Sequence, residues 1–340
     1  MSDIAPPPLK ENPPRLSLGE HVRELSWSPD STQVAAALSS GEVVIVDTTA
    51  NLALRRWEAH KFGVLRVSWS SKGSWLASSG EDRFLRWWNP ANGTLISEQR
   101  EKAWVEQLSA SPNGESLASG SGKALKLWNA PGVCSFSAED HDSTIAALQW
   151  RADSKGIATA CFGRVQLFRL GEPNPYETLL LKTSHVSLGW SPNGRHIAAG
   201  SQENSVTYWK LPFRDREPLQ MSGYPAKVRA LSWDRESRYL ATGGGELITV
   251  WNVTGRGPAG SKPSQLKGHR QKISCLTFQK RSDVLASGCA GGSVWLWTPS
   301  RGDGGMPAAQ LEAEITSLVW SPDETQLAVA SADGTLQIIR

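Results

Sequence analysis

One phrase recurs eight times along the chain, and this internal repeat constrains the fold more than any other feature. Each copy begins with an apolar β-branched residue, reaches an anchor position that is usually tryptophan, passes a Ser-Pro-Asp or Ser-Pro-Asn turn, and continues as Leu-Ala-Ser and then Val-x-Leu-Trp. A period of 40 to 45 residues predicts stacked units within one body, although a length of 340 residues alone suggests two domains. The anchor positions are Trp27, Trp69, Ala110, Trp150, Trp190, Trp233, Phe278 and Trp320.

Each copy predicts three strands and, in most cases, a weaker fourth strand after it. Proline, asparagine, aspartate and glycine separate the apolar runs, because these residues suit the backbone angles of tight turns. Runs that are apolar on both sides belong to sheets that are covered on both faces. The copies, numbered 1 to 8 below, are predicted to begin near Val22, Val64, Val105, Ile145, Val186, Val228, Ile273 and Ile315.

Tryptophan is unusually frequent, with 16 residues against only 4 tyrosines. Most of the tryptophans fall in two periodic columns, one at the anchor and one at the end of the third strand. Large side chains at regular intervals fill the space between packed layers. We therefore interpret them as core residues and not as a ligand-binding cage, which would cluster in a few loops.

These motifs resemble the WD-repeat family over about residues 15–340. The match is degenerate: Trp-Asp becomes Trp88-Asn89, Trp128-Asn129 and Trp251-Asn252, and the Gly-His start survives as Gly268-His269. The resemblance implies an all-β closed propeller of four-stranded antiparallel blades. Counting the copies predicts eight blades, with seven as the alternative. Because the last copy ends in its third strand, the resemblance also implies that an N-terminal strand at 15–18 completes the last blade.

The N-terminal segment and the composition of the chain indicate its domain organisation, its partners and its localisation. Residues 1–14 are rich in proline and predict a disordered lead, followed by one propeller domain over 15–340. The net charge is +3, and the 36 basic residues are scattered among 33 acidic ones, so no nucleic-acid partner is expected. The sequence shows no secretory signal and no apolar run that would span a membrane. We expect a cytoplasmic protein without cofactors.

Copy 2 contains a set of polar residues that could be mistaken for a catalytic triad. His60, Ser78, Asp82 and Trp88 match the structural hydrogen-bond network of the resembled family. Serine, histidine and aspartate together also suit nucleophilic catalysis. However, Ser78 falls within a buried strand, which favours a structural network. No histidine or cysteine spacing suits a metal, so we expect no catalytic residues, no metal site and no enzyme activity.

The resemblance also implies that one face of the propeller consists of the loops that precede first strands and those that join second to third strands. Exposed aromatic and arginine side chains there are typical of protein interfaces. We expect a scaffold that binds other proteins or peptide segments, as a monomeric propeller within a hetero-complex. The alternative is an adaptor that captures a short peptide motif for a catalytic partner. The candidate partner-binding residues are Phe62, Arg83, Trp104, Phe162, Arg164, Tyr224, Lys227, Arg270 and Lys272.

Overall fold

A computed structural model describes residues 14–139, 141–172, 174–212, 217–255, 257–302 and 304–340. The predicted disordered lead lies outside these residues except for Pro14. The described chain consists of strands and one short 3-10 helix, Pro299–Arg301. In chain order the strands are β1 Arg15–Ser17, β2 Val22–Trp27, β3 Gln33–Leu38, β4 Glu42–Asp47, β5 Leu52–Glu58, β6 Val64–Trp69, β7 Leu76–Gly80, β8 Phe84–Trp88, β9 Leu95–Arg100, β10 Val105–Ala110, β11 Leu117–Ser121, β12 Ala124–Ala130, β13 Val133–Ala138, β14 Ala147–Trp150, β15 Gly156–Arg169, β16 Glu177–Trp190, β17 His196–Ser201, β18 Val206–Lys210, β19 Leu219–Met221, β20 Ala230–Trp233, β21 Tyr239–Gly243, β22 Ile248–Asn252, β23 Ser264–Leu266, β24 Ile273–Phe278, β25 Leu285–Cys289, β26 Ser293–Trp297, β27 Met306–Gln310, β28 Ile315–Trp320, β29 Leu327–Ser331 and β30 Thr335–Ile339.

Every described sheet is antiparallel, and the burial of its strands follows the apolar pattern of the repeat. In copy 2, β7 is buried along its whole length, whereas the outer strand β9 is mostly exposed. The second strand lies at the centre of its sheet between β6 and β8, with neighbouring sheets on both faces. This position explains why its sequence is small and apolar rather than alternating.

The ring is closed by the two ends of the chain, as predicted. The N-terminal strand β1 pairs antiparallel with β30, with Leu16 opposite Leu336. Leu18, which follows β1, is only 1% exposed and packs in the cluster between copies 8 and 1. The first strands of successive copies also adjoin one another in order, including β28 against β2. The chain is therefore an all-β closed propeller.

The number of separate sheets differs from the predicted number. Hydrogen bonding within the described residues gives seven sheets, the alternative count, and not eight separate ones. The reason lies in copies 4 and 5, which share one six-stranded sheet in the order β14-β15-β16-β17-β18-β19. The strand β16 is continuous through both copies: its first half pairs with β15 and its second half with β17. At the other junctions within the described ranges the corresponding strands are separate, so among these residues only this junction fuses two copies.

Copies 4 and 5 nevertheless pack like two units. The strand β15 turns back on itself at Gly163, whose φ is 82°, and the backbone N–H of Leu170 donates to the carbonyl of Lys155. Copy 4 thus contains its own second and third strands. The described residues form eight hydrophobic clusters, and one of them lies between copies 4 and 5. Side-chain packing therefore repeats once per sequence copy.

Hydrogen bonds from two repeated positions join several copies to the preceding copy. The first position is the anchor: the indole N–H of Trp27 donates to the carbonyl of Val319 at 2.8 Å, and the indole N–H of Trp150 donates to the carbonyl of Ser109 at 2.9 Å. Four residues after the anchor, the chain adopts a positive φ, as at Ser154 with 60°. The Ser154 hydroxyl accepts a hydrogen bond from the backbone N–H of Asn113 in the preceding copy. This bond explains why serine occupies a position where glycine would avoid backbone strain.

Candidate functional site

The four polar residues predicted in copy 2 form one buried hydrogen-bonded chain. Asp82 Oδ1 lies 2.8 Å from His60 Nδ1, and His60 Nε2 lies 2.8 Å from Ser78 Oγ. The indole Nε1 of Trp88 donates to the same Ser78 oxygen at 2.8 Å. The network joins the loop before β6 to β7, to the turn after β7 and to β8.

The order Asp-His-Ser resembles a catalytic triad, but the position of the serine does not suit catalysis. Ser78 is completely buried, and its oxygen already accepts the indole N–H of Trp88. A nucleophile needs access to a substrate as well as a neighbouring base. Burial lowers the pKa of His60, an effect that the hydrogen bond to Asp82 opposes. The neutral imidazole is therefore suited to linking the serine and the carboxylate.

Arg86 is a fifth member of this network that the sequence analysis missed. Its guanidinium donates to Asp82 Oδ2 at 2.6 Å and to Glu98 at 2.8 Å. Burial alone would raise the pKa of Asp82, but the hydrogen bonds from His60 and Arg86 outweigh burial and lower it. The spacing of four residues between Asp82 and Arg86 was visible, but only the turn before β8 brings the two side chains together.

Other copies build the same junction from different residues. In copy 7, His269 and Trp297 both bond the hydroxyl of Ser287, and Ser293 takes the place of the carboxylate at 2.8 Å from His269 Nδ1. In copy 4, His141 Nε2 lies 2.8 Å from the Thr159 hydroxyl. These copies show that a buried hydroxyl, and not the aspartate, is the recurring centre of the junction.

Copy 6 corrects one predicted partner-binding residue. Tyr224 stands where copies 2 and 7 have histidine and is only 9% exposed. Its hydroxyl lies 2.7 Å from the Thr242 hydroxyl and accepts the indole N–H of Trp251 at 2.8 Å. A side chain whose polar end is satisfied inside the blade offers little surface to a partner. Tyr224 therefore belongs to the core of copy 6 and not to the binding face.

Copy 5 corrects the predicted start of a first strand. Strand pairing places His185 opposite Ser201, just as Val64 lies opposite Gly80, so the copy begins at His185 and not at Val186. His185 is 2% exposed, and within the described residues neither ring nitrogen has a hydrogen-bond partner. Burial lowers its pKa to about 4. The copy thus holds a neutral histidine where the others hold valine or isoleucine.

Three exposed aromatic side chains lie at the same end of successive copies. Phe62 and Trp104 belong to loops that precede first strands, and Phe162 to the turn between second and third strands of copy 4. They are 65%, 51% and 58% exposed. Loops of these two kinds share one end of an antiparallel blade, because the first strand begins where the second ends, as in the Val64–Gly80 pair. The structure therefore places the three rings on one face.

The same face also carries cationic side chains, which differ in their exposure and in their ion pairs. Arg83, at the turn between β7 and β8, is exposed and has a φ of 69°. Arg270 and Lys272 are also exposed, whereas Lys227 and Arg164 are partly buried. Arg164 pairs with Asp142. Among the described residues, Arg83, Lys227, Arg270 and Lys272 form no ion pair, which leaves their charges available to solvent or to a partner.

The central channel opens on the same face. A cavity of about 660 Å³ is lined by His21, Arg23, Arg229, Lys272 and Glu314 among others. A second cavity of about 620 Å³ shares Arg23 and Arg229 with it. Over the described ranges, no three histidine, cysteine or acidic side chains are grouped as a metal site. The described part of the chain also contains no helix long and apolar enough to cross a membrane.

The model for the family described as WD domain, G-beta repeat, matches 52–89, 93–129, 177–210, 217–252, 260–298 and 306–340, more than half of the chain. These matches omit the first three strands of copies 1 and 4, which have Val46 and Phe168 where the closing tryptophan belongs. Both copies still form the same strands, with Val34 opposite Val46 and Trp150 opposite Ile157. Packing therefore maintains the blade where the sequence motif has decayed.

Curated relatives match parts of the chain at low identity. Cell division cycle 20.1, cofactor of APC complex, from Arabidopsis thaliana is 25% identical over 265 residues, which cover 69% of this chain and 54% of that protein. Protein FIZZY-RELATED 1 from the same plant is 26% identical over 251 residues, covering 70% and 52%. The Intraflagellar transport protein 80 homolog of Mus musculus is 27% identical over 143 residues, covering 42% and 18%. The chain thus spans about half of the first two relatives and less of the third.

Solved structures match the whole fold. Saccharomyces cerevisiae Sqt1 superposes with a TM-score of 0.84 at 12% identity, covering 97% of this chain and 99% of that one. The computationally designed Ika8 protein gives a TM-score of 0.79 at 18% identity, covering 95% and 97%. At such identities these structures show the fold alone. Together with the six matched repeats, they show that this chain belongs to the WD40 repeat family of β-propellers.

Proposed function

We propose that the chain is a non-catalytic scaffold that assembles other proteins on the face carrying Phe62, Trp104 and Phe162. The observation that carries this proposal is the exposure of all three rings by more than half on one end of copies 2 to 4. Large aromatic side chains provide much of the binding energy of protein interfaces when a partner covers them. The rigid propeller holds these aromatic side chains in place, so little conformational entropy is lost on binding.

The charges on this face favour an acidic partner surface. Arg83, Arg270 and Lys272 are exposed and, in the described part of the chain, form no ion pair. Charges at the rim of an interface mainly increase the rate of association and discriminate between partners. One relative is named as a cofactor of APC complex, which is consistent with a propeller that acts through other proteins.

A second candidate function is an adaptor that captures a short peptide segment for a catalytic partner. The cavity of about 660 Å³ at the channel mouth favours it, because a concave site with charged walls suits a single chain better than a folded surface. An isolated acidic peptide would bind to such an adaptor, whereas a scaffold needs the folded partner.

Several finer features belong to the same proposal. The propeller forms a single domain over 15–340. His60, Ser78, Asp82 and Trp88 act as a structural network, since their serine is buried. We further propose that the protein binds no nucleic acid, since its basic residues are dispersed. We also propose that it is cytoplasmic and that it enters a hetero-complex as a monomer.

The test is a double substitution on the proposed face. Trp104→Ala with Arg83→Glu removes an aromatic contact and reverses a charge on adjacent copies, so recovery of co-purifying proteins should fall at least about tenfold. The matched control is Leu170→Ala with Lys155→Glu at the opposite end of copy 4, where both residues are exposed. Both variants should melt like the parent. Unchanged recovery with the first variant, or equal loss with the control, would refute the choice of face.

A further inference from the structure

The outermost strand of a blade is an open edge with one unpaired row of backbone N–H and C=O groups. Such edges invite pairing with another chain, and natural proteins protect them with charged residues, proline or short length. In this protein β13 is the last strand of the sheet β10-β11-β12-β13, and β12 is its pairing partner.

The other outer strands of the described chain each carry one of these protective features. The outer strands β5 and β9 and the first half of β16 contain charged residues. The strands β1, β19 and β23 are only three residues long. The strand β27 contains Pro307, which cannot donate a backbone hydrogen bond. Each edge is thus a poor template for an added strand.

The strand β13 lacks all of these features. Its sequence is Val-Cys-Ser-Phe-Ser-Ala over six residues, without a charge or a proline. Val133 is 55% exposed, and Cys134 is exposed as well. At about 3.3 Å per residue, six residues offer an edge about 20 Å long. This length is sufficient for an added strand of about six residues.

The outer strands of the two adjacent blades carry exposed apolar side chains. Leu95 and Ile96 of β9 are 47% and 48% exposed, and Leu180 of β16 is 66% exposed. The start of β13 lies against β9, since a Cβ atom on Gly132 would be 2.4 Å from Ser97 Oγ. A strand added to β13 would gain backbone hydrogen bonds and would lie between two blades whose outer strands carry exposed apolar side chains.

We propose that β13 is a docking edge that accepts an extended, uncharged segment of a partner protein as a fifth strand of its blade. The chemistry of the segment follows from that of the edge. Since β13 has no charged side chain, a charge on the added strand would lose water without gaining an opposite charge. Alternating β-branched and small polar residues fit best, because they favour strands and keep one side apolar.

The probe is a fluorescein-labelled synthetic peptide with an alternating Thr-Val core of about six residues between Gly-Ser flanks. We expect saturable binding to the full chain with a Kd below about 1 mM. Hydrogen exchange should slow at the backbone amides of β13 in its presence. A peptide with an alternating Thr-Glu core should not bind.

Matched variants locate the binding edge. Val133→Lys with Cys134→Lys places charges at the exposed start of β13 and should weaken binding at least about tenfold. Leu52→Lys with Ala53→Lys makes the same change at the start of β5 and should leave binding unchanged, because that edge already carries charges. Melting curves confirm that both variants are folded.

Four results would overturn the proposal. They are no binding of the Thr-Val peptide, protection of an edge other than β13, equal weakening by the two variants, and self-association that the β13 variant abolishes while the peptide fails to compete. The last result would assign the edge to a second copy of this chain.

Discussion

Removal of the Ser78 hydroxyl tests the idea that a buried hydroxyl is the centre of the blade junction in copy 2. In Ser78→Ala, the oxygen that bonds both His60 and Trp88 is lost. The site is fully buried, so bulk water does not replace it. The change removes one atom and leaves the apolar packing of Trp88 in place, which isolates the polar contribution from a cavity effect.

The magnitude follows from the two groups that lose their partner. An unsatisfied buried donor or acceptor costs about 1–3 kcal/mol, and here His60 Nε2 and Trp88 Nε1 are both affected. The free energy of unfolding should therefore fall by about 2–6 kcal/mol. This is a large share of the 5–15 kcal/mol that is typical of a domain. A purely catalytic serine would not have this effect.

Copy 5 offers the mirror experiment. Ala199 stands at the position of Ser78, because Ile197 lies opposite Trp209 as Leu76 lies opposite Trp88. The indole Nε1 of Trp209 has no hydrogen-bond partner among the described residues. In Ala199→Ser, the new hydroxyl can accept that N–H, so the free energy of unfolding should rise by about 0.5–1.5 kcal/mol.

Urea unfolding at neutral pH, followed by both tryptophan fluorescence and circular dichroism, measures both changes. The two signals should give the same midpoint, so that a single free energy describes each variant. Two outcomes would refute the reasoning. One is a Ser78→Ala midpoint equal to that of the parent, and the other is a destabilised Ala199→Ser variant.

Two further predictions concern the closing strand and pH. Removing residues 1–12 should leave the melting temperature unchanged. Removing 1–20 deletes β1 and the buried Leu18, so the free energy of unfolding should fall by about 2–5 kcal/mol. Equal melting temperatures of the two truncated proteins would contradict closure by β1. Burial lowers the pKa values of His185, His196 and His269 to about 4. Because the unfolded chain binds these protons below about pH 6.5, stability should fall as the pH decreases from about 6.5 to 4, by up to about 3 kcal/mol for each histidine. In His185→Val, the free energy of unfolding should depend less on pH, as measured by urea melts between pH 7.5 and 4.5. The same pH dependence as in the parent would contradict a contribution from His185.

Much of the fold could be predicted from periodicity. The anchor spacing and the two tryptophan columns predict blades, because each blade must fill the same space between its neighbours. The closing strand could be predicted from the unfinished last copy. The hydrogen-bond network of His60, Ser78, Asp82 and Trp88 could also be predicted, since the resembled family places those residue types at fixed distances in the sequence.

Tertiary structure decided the features that depend on a neighbour. Tyr224 has a side chain that suits a core or an interface equally, and only its bonds with Thr242 and Trp251 show that it lies in the core. The continuity of β16 removes the loop before copy 5, so pairing alone shows that His185 and not Val186 begins the strand. Local sequence specifies which strands form, because periodicity and turn residues act over a few positions. Which edges stay open and which side chains meet is decided only when the ring closes, because those contacts join residues far apart in the chain.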